Sequence, residues 1–271
     1  MKDFTNWQGK WALIAGAAEG IGAAFTSAVA AKKMNIIMVD IRESSMNELS
    51  ANVKRIYGIS TIQIVQDLSE EDAWKKCMEA VKTLDCCLLI YVPAYSAVKL
   101  FLDNTPAELD KFINLNCRTP MKMVLDFTRK VKDEKQSGII LMSSLAGLIG
   151  PQFTSPYAAT KAFNIIFGEA ISHEFKRYHI AVTVCCAGPV STPSYWSSQP
   201  DHPGKHPNIL DPDFVAESAL KKLGRKAICL PGWKNRLIFY FLTRFLPRKI
   251  AASLVNGAMV KRYPQFKIKT L

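Results

Sequence analysis

The sequence predicts a doubly wound α/β fold, a single domain built on a seven-stranded parallel sheet of Rossmann type. Three observations carry this. Seven short apolar runs, rich in β-branched residues and cysteine, lack the polar/apolar alternation of half-exposed strands, as strands buried on both faces do. Segments with helical periodicity separate them, giving repeated strand–helix–strand units. A glycine-rich turn directly follows the first run, at the end of the sheet where such folds bind ligands.

The strands are expected at Trp11–Ala15, Asn35–Val39, Ile62–Val65, Cys86–Val92, Gly138–Ser143, Ile180–Cys186 and Ala227–Leu230. Between the first two, Ile21, Ala24, Phe25, Ala28 and Val29 recur at helical spacing. Further helices fit Ser44–Tyr57, Glu70–Lys82, Ala107–Lys135, Ser155–Tyr178 and Pro212–Leu223. No repeat or low-complexity linker divides the 271 residues. Residues 1–230 read as the domain built on the sheet and 231–271 as a basic, partly apolar helical extension.

A composition of 49% hydrophobic and 21% charged residues supports a real core and excludes wholesale disorder. The seven cysteines, with the adjacent pairs Cys86-Cys87 and Cys185-Cys186 in apolar runs, read as buried thiols of a reducing compartment. His173, His179, His202 and His206 form no spacing that builds a zinc site, so no metal is expected. Met1–Lys10 is polar and lacks the apolar core of a secretory signal, which favours the cytoplasm. The net charge of +12 is a tail property: residues 221–271 carry 13 Lys and Arg and no acidic residue. A solvated tail and a surface that meets an anion are the two readings of this charge.

The turn after the first strand reads Ala15-Gly16-Ala-Ala18-Glu19-Gly20-Ile21-Gly22. Glycine there lets backbone approach a pyrophosphate, and the helix that opens on it offers free amides and a positive dipole end. Asp40, 18 residues after Gly22 at the end of the second strand, can accept both ribose hydroxyls and would repel a 2′-phosphate. This favours NAD(H). Arg42 keeps NADP(H) open, because a guanidinium can hold that phosphate. Asp67, followed by Leu68, could accept from the adenine amino group or cap the helix from Glu70.

Tyr157 and Lys161 stand four apart on one helix face. An ammonium beside a phenol lowers its pKa and fits it to exchange a proton with a hydroxyl. Ser144, 13 residues before Tyr157, closes the fifth strand, where its hydroxyl could polarise a carbonyl. Asn116, with Asn114 as the competing choice, lies inside a helix that its amide does not favour, which makes sense if it binds a water linked to Lys161.

The glycine turn, Asp67-Leu68, Asn116, Ser144, Tyr157, Lys161 and Gly188-Pro-Val190-Ser-Thr192 occur in this order through residues 9–230, and the chain thereby resembles the short-chain dehydrogenase/reductase family. The resemblance implies NAD(P)(H)-dependent interconversion of an alcohol and a ketone. Tyr157 would be the general acid/base. Lys161 would lower its pKa and hold the nicotinamide ribose, Ser144 would orient the substrate oxygen, and Asn116 would support a water relay. Thr192 and the backbone of Val190, beside Gly188, would hold the carboxamide, with Val92 on the adenosine side. The family's homodimers or homotetramers form through the helices carrying Asn116 and Tyr157.

The chain departs from the family pattern at Ala15-Gly16, at Tyr91-Val-Pro-Ala94 and at Ala187-Gly188. The second departure removes amide hydrogen bonds, and Pro93 cannot donate. The alternative it keeps open is a non-catalytic dinucleotide- or lipid-binding protein of the same fold. Residues 193–212, with Tyr195, Trp196 and five prolines, lie where a mobile substrate lid is expected. Beyond the last strand, Leu237–Leu246 is about half the length that spans a bilayer. Its aromatics and leucines, set among Arg236, Arg244, Arg248 and Lys249, suit either an anionic membrane surface or a cap on the substrate pocket or a dimer interface. Its likeness to extensions in steroid- and acyl-chain-active members points to a lipophilic substrate. No nucleic-acid recognition motif accompanies the charge.

Overall fold

In the computed structural model, residues 5–133, 136–200 and 208–266 are described. Seven strands form one parallel sheet in the order β3-β2-β1-β4-β5-β6-β7: β1 Trp11–Ala15, β2 Asn35–Asp40, β3 Thr61–Val65, β4 Cys86–Tyr91, β5 Ser137–Ser144, β6 Ile180–Ala187 and β7 Ile228–Cys229. Because β1 pairs with both β2 and β4, the strand order reverses there and leaves a crevice above the carboxyl ends.

Helices cover both faces. On one side lie α1 (Gly20–Ala30), α2 (Glu43–Tyr57) and α8 (Pro212–Lys222), burying Phe25, Met38, Met46 and Val215. On the other lie α3 (Ala73–Lys82), α5 (Thr119–Val131) and α6 (Ser155–Glu174), burying Met78, Phe127, Leu141 and Ile171. The continuous apolar runs follow from this double burial: all six residues of β4 are buried. All seven cysteines are free and buried.

Three element boundaries differ from expectation for physical reasons. The helix expected over Ala107–Lys135 is two: α4 (Pro106–Ile113) and α5, joined by a wide turn at Asn114–Arg118. Pro120 is the cause. It has no N–H to give the Asn116 carbonyl four residues back, and its ring crowds that carbonyl. The side-chain amide of Asn164 on α6 donates to it instead, at 2.9 Å. Lys135 lies outside the described residues. Next, α3 starts at Ala73 rather than Glu70, because Asp67 folds its own turn and accepts from the Ser69 amide and hydroxyl at 2.8 and 2.7 Å. Third, β7 is only two residues long and pairs Cys229 with Cys185.

The C-terminal extension is helical. It comprises α9 (Trp233–Tyr240), a wide turn (Phe241–Phe245) and α10 (Arg248–Arg262). Among the described residues no helix is long and apolar enough to cross a membrane. Of the expected lid, Pro193–Ser197 forms the short helix α7 and Leu210 bridges Val190; residues 201–207, including His202 and His206, lie outside the described residues.

Candidate active site

Two cavities open above the strand ends and share Tyr157. The first, about 410 Å³, crosses the β1/β4 crevice. Gly16, Glu19, Gly20, Ile21, Asp40 and Arg42 line one end of it. Asp67, Leu68, Val92, Tyr157 and Lys161 also line it, as does Thr192, which stands against the Gly20 turn. The second, about 450 Å³, is mainly apolar. Ser144, Tyr157, Gly188 and Val190 form its inner end, and Leu148, Ile149, Tyr195 and Tyr263 part of its walls.

The glycine turn admits no side chains. Gly16 and Gly20 hold φ of +72° and +53°, a region that favours glycine. A Cβ on Gly22 would fall 1.6 Å from the Gly16 carbonyl oxygen, and one on Gly20 would fall 2.8 Å from the Thr192 methyl. At the helix start Glu19 makes no side-chain cap, so the first amides of α1 are left for a ligand.

The carboxylate of Asp40 sits buried behind this turn. It accepts from the Ala18 amide at 3.0 Å and the Arg42 amide at 3.1 Å, and Arg42 Nη1 stands 3.5 Å away. Asp40 thus braces the cradle as well as lining it. The Arg42 guanidinium is also tied to Glu19, at 3.2 Å. Asp67, expected as an adenine partner or as the cap of a helix from Glu70, is neither that cap nor remote: it lines the cleft while closing its turn with Ser69. The Ser69 bonds and Lys111 hold its carboxyl below the ordinary value against the opposing pull of burial.

The Tyr91–Ala94 departure is accommodated by different contacts. Val92 still donates to Ala15 at 3.2 Å, and the Pro93 ring fills the space over Gly16, 3.0 Å from where a Cβ would stand. The Tyr91 hydroxyl donates to the Leu115 carbonyl at 2.6 Å. Asn116, rather than the part-exposed Asn114, is the buried amide. It accepts from the Tyr95 amide at 2.8 Å and donates to the Tyr95 carbonyl at 3.0 Å and to Thr160 Oγ1 at 2.9 Å. It therefore clamps the chain leaving β4 onto α6, the helix that carries Tyr157 and Lys161.

Tyr157 and Lys161 come together as their spacing requires, with Nζ 5.7 Å from the phenol ring centre. Lys161 Nζ donates to the Met142 carbonyl at 2.9 Å, and Ser143 fixes the same turn by donating to the Lys161 carbonyl at 2.7 Å. The electrostatics correct one expectation. Burial raises the Tyr157 phenol above its ordinary value, and hydrogen bonding with Ser144 pulls the other way. Burial also pushes Lys161 down to about 8, so it is still an ammonium at neutral pH, but its charge does not outweigh the burial that raises the phenol. At neutral pH the pair presents a protonated phenol, the form that can donate to a developing alkoxide.

The buried lysine opposes folding. Its folded pKa lies below the unfolded value of about 10.4, so the unfolded chain binds more protons between pH 8 and 10, and stability rises with pH across that window. Lys161→Met is expected to flatten that rise and add about 1–2 kcal/mol at pH 7, less what the orphaned Met142 carbonyl loses, while removing turnover. Thermal denaturation from pH 7 to 10 checks this.

The C-terminal extension supplies what sequence reasoning left open. Phe239, Leu242, Val255 and Met259 face the second cavity, so the extension caps the pocket. It is latched at two places. Arg262 donates to Gln199 Oε1 through Nε at 3.0 Å and to the Tyr195 hydroxyl at 3.0 Å, tying α10 to α7 and the residues just after it. Asn256 pairs with Gln152 through backbone and side chain, at 2.7 and 2.9 Å. Neither latch was visible in the sequence, where only Tyr195 stood out. Among the described residues no cluster of His, Cys, Asp or Glu could hold a metal ion.

These residues fit a nicotinamide dinucleotide: a cradle that a Cβ would fill, uncapped helix amides, a carboxylate at the end of β2, and Tyr157 with Lys161 at the far end. A dinucleotide bound there would supply the hydride that passes between cofactor and substrate carbon. The family model for short chain dehydrogenases matches residues 10–203. The chain is 29% identical over 234 residues to the 7beta-hydroxysteroid dehydrogenase of Clostridium sardiniense, covering 86% of this chain and 90% of that enzyme. It is 27% identical over 252 residues to the very-long-chain 3-oxoacyl-CoA reductase of Phaeosphaeria nodorum, covering 88% and 72%. A solved structure from a study of 7beta-hydroxysteroid dehydrogenase stereoselectivity superposes with a TM-score of 0.86 at 26% identity, covering 93% of this chain and 99% of that one. The chain belongs to the short-chain dehydrogenase family, and it is an NAD(P)(H)-dependent oxidoreductase acting between alcohol and carbonyl.

Proposed function

We propose that the enzyme interconverts a secondary alcohol and a ketone on a lipophilic substrate of steroid or acyl-chain type. The observation that carries this is the junction at Tyr157: one phenol lines both the dinucleotide-shaped cleft and the apolar cavity. Tyr157 gives a proton to the carbonyl oxygen in reduction and takes it back in oxidation. Ser144 orients that oxygen. Lys161 holds the nicotinamide ribose, Asn116 carries a water on the remaining lone pair of its side-chain oxygen, and Val190 and Thr192 hold the carboxamide. Because the phenol lies high, reduction holds steady through neutral pH and falls only as the phenol ionises, whereas oxidation climbs with pH. Initial rates in both directions between pH 6 and 10 check this; an oxidation rate falling with pH would remove Tyr157 as the base.

NAD(H) is the preferred cofactor. Glu19 and Asp40 put two carboxylates around the single Arg42, leaving little positive charge for a 2′-phosphate. NADH is expected to bind at least about tenfold more tightly than NADPH, and Glu19→Gln, which frees Arg42, to narrow that gap several-fold. Titration following nicotinamide fluorescence reads both values. Equal affinities would remove the carboxylates as the selecting groups.

Residues 1–230 act as the catalytic domain, 193–212 as its lid and 231–271 as its cap. With α10 latched to the lid segment through Arg262, Arg262→Ala is expected to raise the KM of a lipophilic ketone several-fold while leaving NADH affinity near wild type. The enzyme works in the cytoplasm as a homodimer or homotetramer through α5 and α6, supported by the exposed Met121, Leu125 and Ile166 on them, and touches anionic membrane peripherally through 231–271.

A further inference from the structure

We propose that the outer face of α9–α10 is a docking surface for an anionic lipid bilayer, seated so that a lipophilic substrate passes from the membrane into the catalytic cavity through the wall these helices form. The entry route rests on the substrate reading above; the docking rests on the surface itself.

Trp233, Leu237, Phe241 and Phe245 recur every four residues and stand 67%, 63%, 53% and 76% exposed. Ile250 and Leu254 carry the exposed apolar surface onto α10. The opposite side of the same helices is apolar too: Phe239, Leu242, Val255 and Met259 face the cavity. A helix apolar on two sides needs two apolar neighbours. The cavity is one of them, and the outer face has no second among the described residues.

Charge selects the occupant. Between Gly232 and Lys261 stand Lys234, Arg236, Arg244, Arg248, Lys249 and Lys261, with no Asp or Glu. A second copy meeting this face across a two-fold axis would bring like charge against like. An anionic leaflet instead offers headgroups to the cations and an acyl boundary to the aromatics. Arg244 lies among the exposed aromatics, where its stem can cover apolar surface while the guanidinium stays at the headgroups. One helix, about 10 Å thick, would then separate the bilayer from the cavity.

Flotation of the full-length enzyme with vesicles tests the docking. Vesicles of phosphatidylcholine with about one-third phosphatidylglycerol should carry it at low salt, and pure phosphatidylcholine should not. The double variant Trp233→Gln/Phe245→Gln should lose at least about tenfold in vesicle binding, yet keep NADH affinity and turnover of a short water-soluble ketone, since neither side chain lines either cavity. Its KM for a ketone dissolved in the vesicles should rise at least several-fold. Equal binding to both vesicle types, or binding to neither, would overturn the docking. So would a variant that loses an oligomeric form of the wild type in sedimentation while vesicle binding is unchanged, because the face would then be a contact between copies. Lost vesicle binding with an unchanged KM would overturn the entry route alone. Flotation still reads the docking if no ketone is turned over, which separates its failure from that of the proposed activity.

Discussion

Tyr157→Phe should lower turnover by about 10²–10⁴-fold while leaving NADH affinity within about twofold of wild type. Among the described residues Tyr157 is the one phenol that lines both cavities, with Ser144 hydrogen-bonded to it and Lys161 close by. Removing it takes away the acid/base and nothing that shapes the cleft. The substitution removes one hydrogen bond with Ser144 at a part-exposed position, so thermal stability should change by about 1 kcal/mol or less. Steady-state rates paired with NADH titration make the comparison. A variant retaining a tenth or more of the wild-type rate would place the proton transfer elsewhere. A biological role that survived the change intact would favour the non-catalytic alternative.

Gly22→Ala should be the most damaging single methyl in the cleft. The new Cβ would sit 1.6 Å from the Gly16 carbonyl oxygen, and both partners are backbone, so the turn must open. Opening it displaces Gly16, whose amide donates to Val39 at 2.8 Å, and loosens the brace from Ala18 to Asp40. A loss of about 2–3 kcal/mol in stability and at least about a hundredfold in NADH affinity is expected. Gly150→Ala is the control, because nothing lies within 4 Å of its Cβ. Denaturant unfolding and cofactor titration on both variants measure the difference. Wild-type NADH affinity in Gly22→Ala would mean that the dinucleotide does not use this turn.

Strands were legible because double burial leaves no alternation, and β1 to β6 fall where the apolar runs lie, to within about two residues. Ser144, Tyr157 and Lys161 were legible because one sits at a strand end and two share a helix face. Asn116 was found, but not the break around it. The signal was present in Pro120, four residues on, and was outweighed by the continuous helical pattern on either side. Asp67 could not be assigned from spacing, since capping a turn and lining a cleft use the same carboxylate; the structure shows it doing both. The extension was hardest to read. Its helices are apolar on two faces, and periodicity alone cannot say that Phe239 turns toward the cavity while Phe241 turns out. The polar latches of Arg262 and Asn256 join residues 63 and 104 positions apart, a distance at which a single sequence carries no pairing signal.

The most direct test of the junction at Tyr157 is the transfer of label between its two cavities. Enzyme supplied with NADH dideuterated at C4 and a lipophilic ketone should yield an alcohol carrying one deuterium on the carbinol carbon, read by mass spectrometry, and Tyr157→Phe should yield almost none. Folded enzyme that binds NADH but leaves every alcohol formed unlabelled would contradict the account.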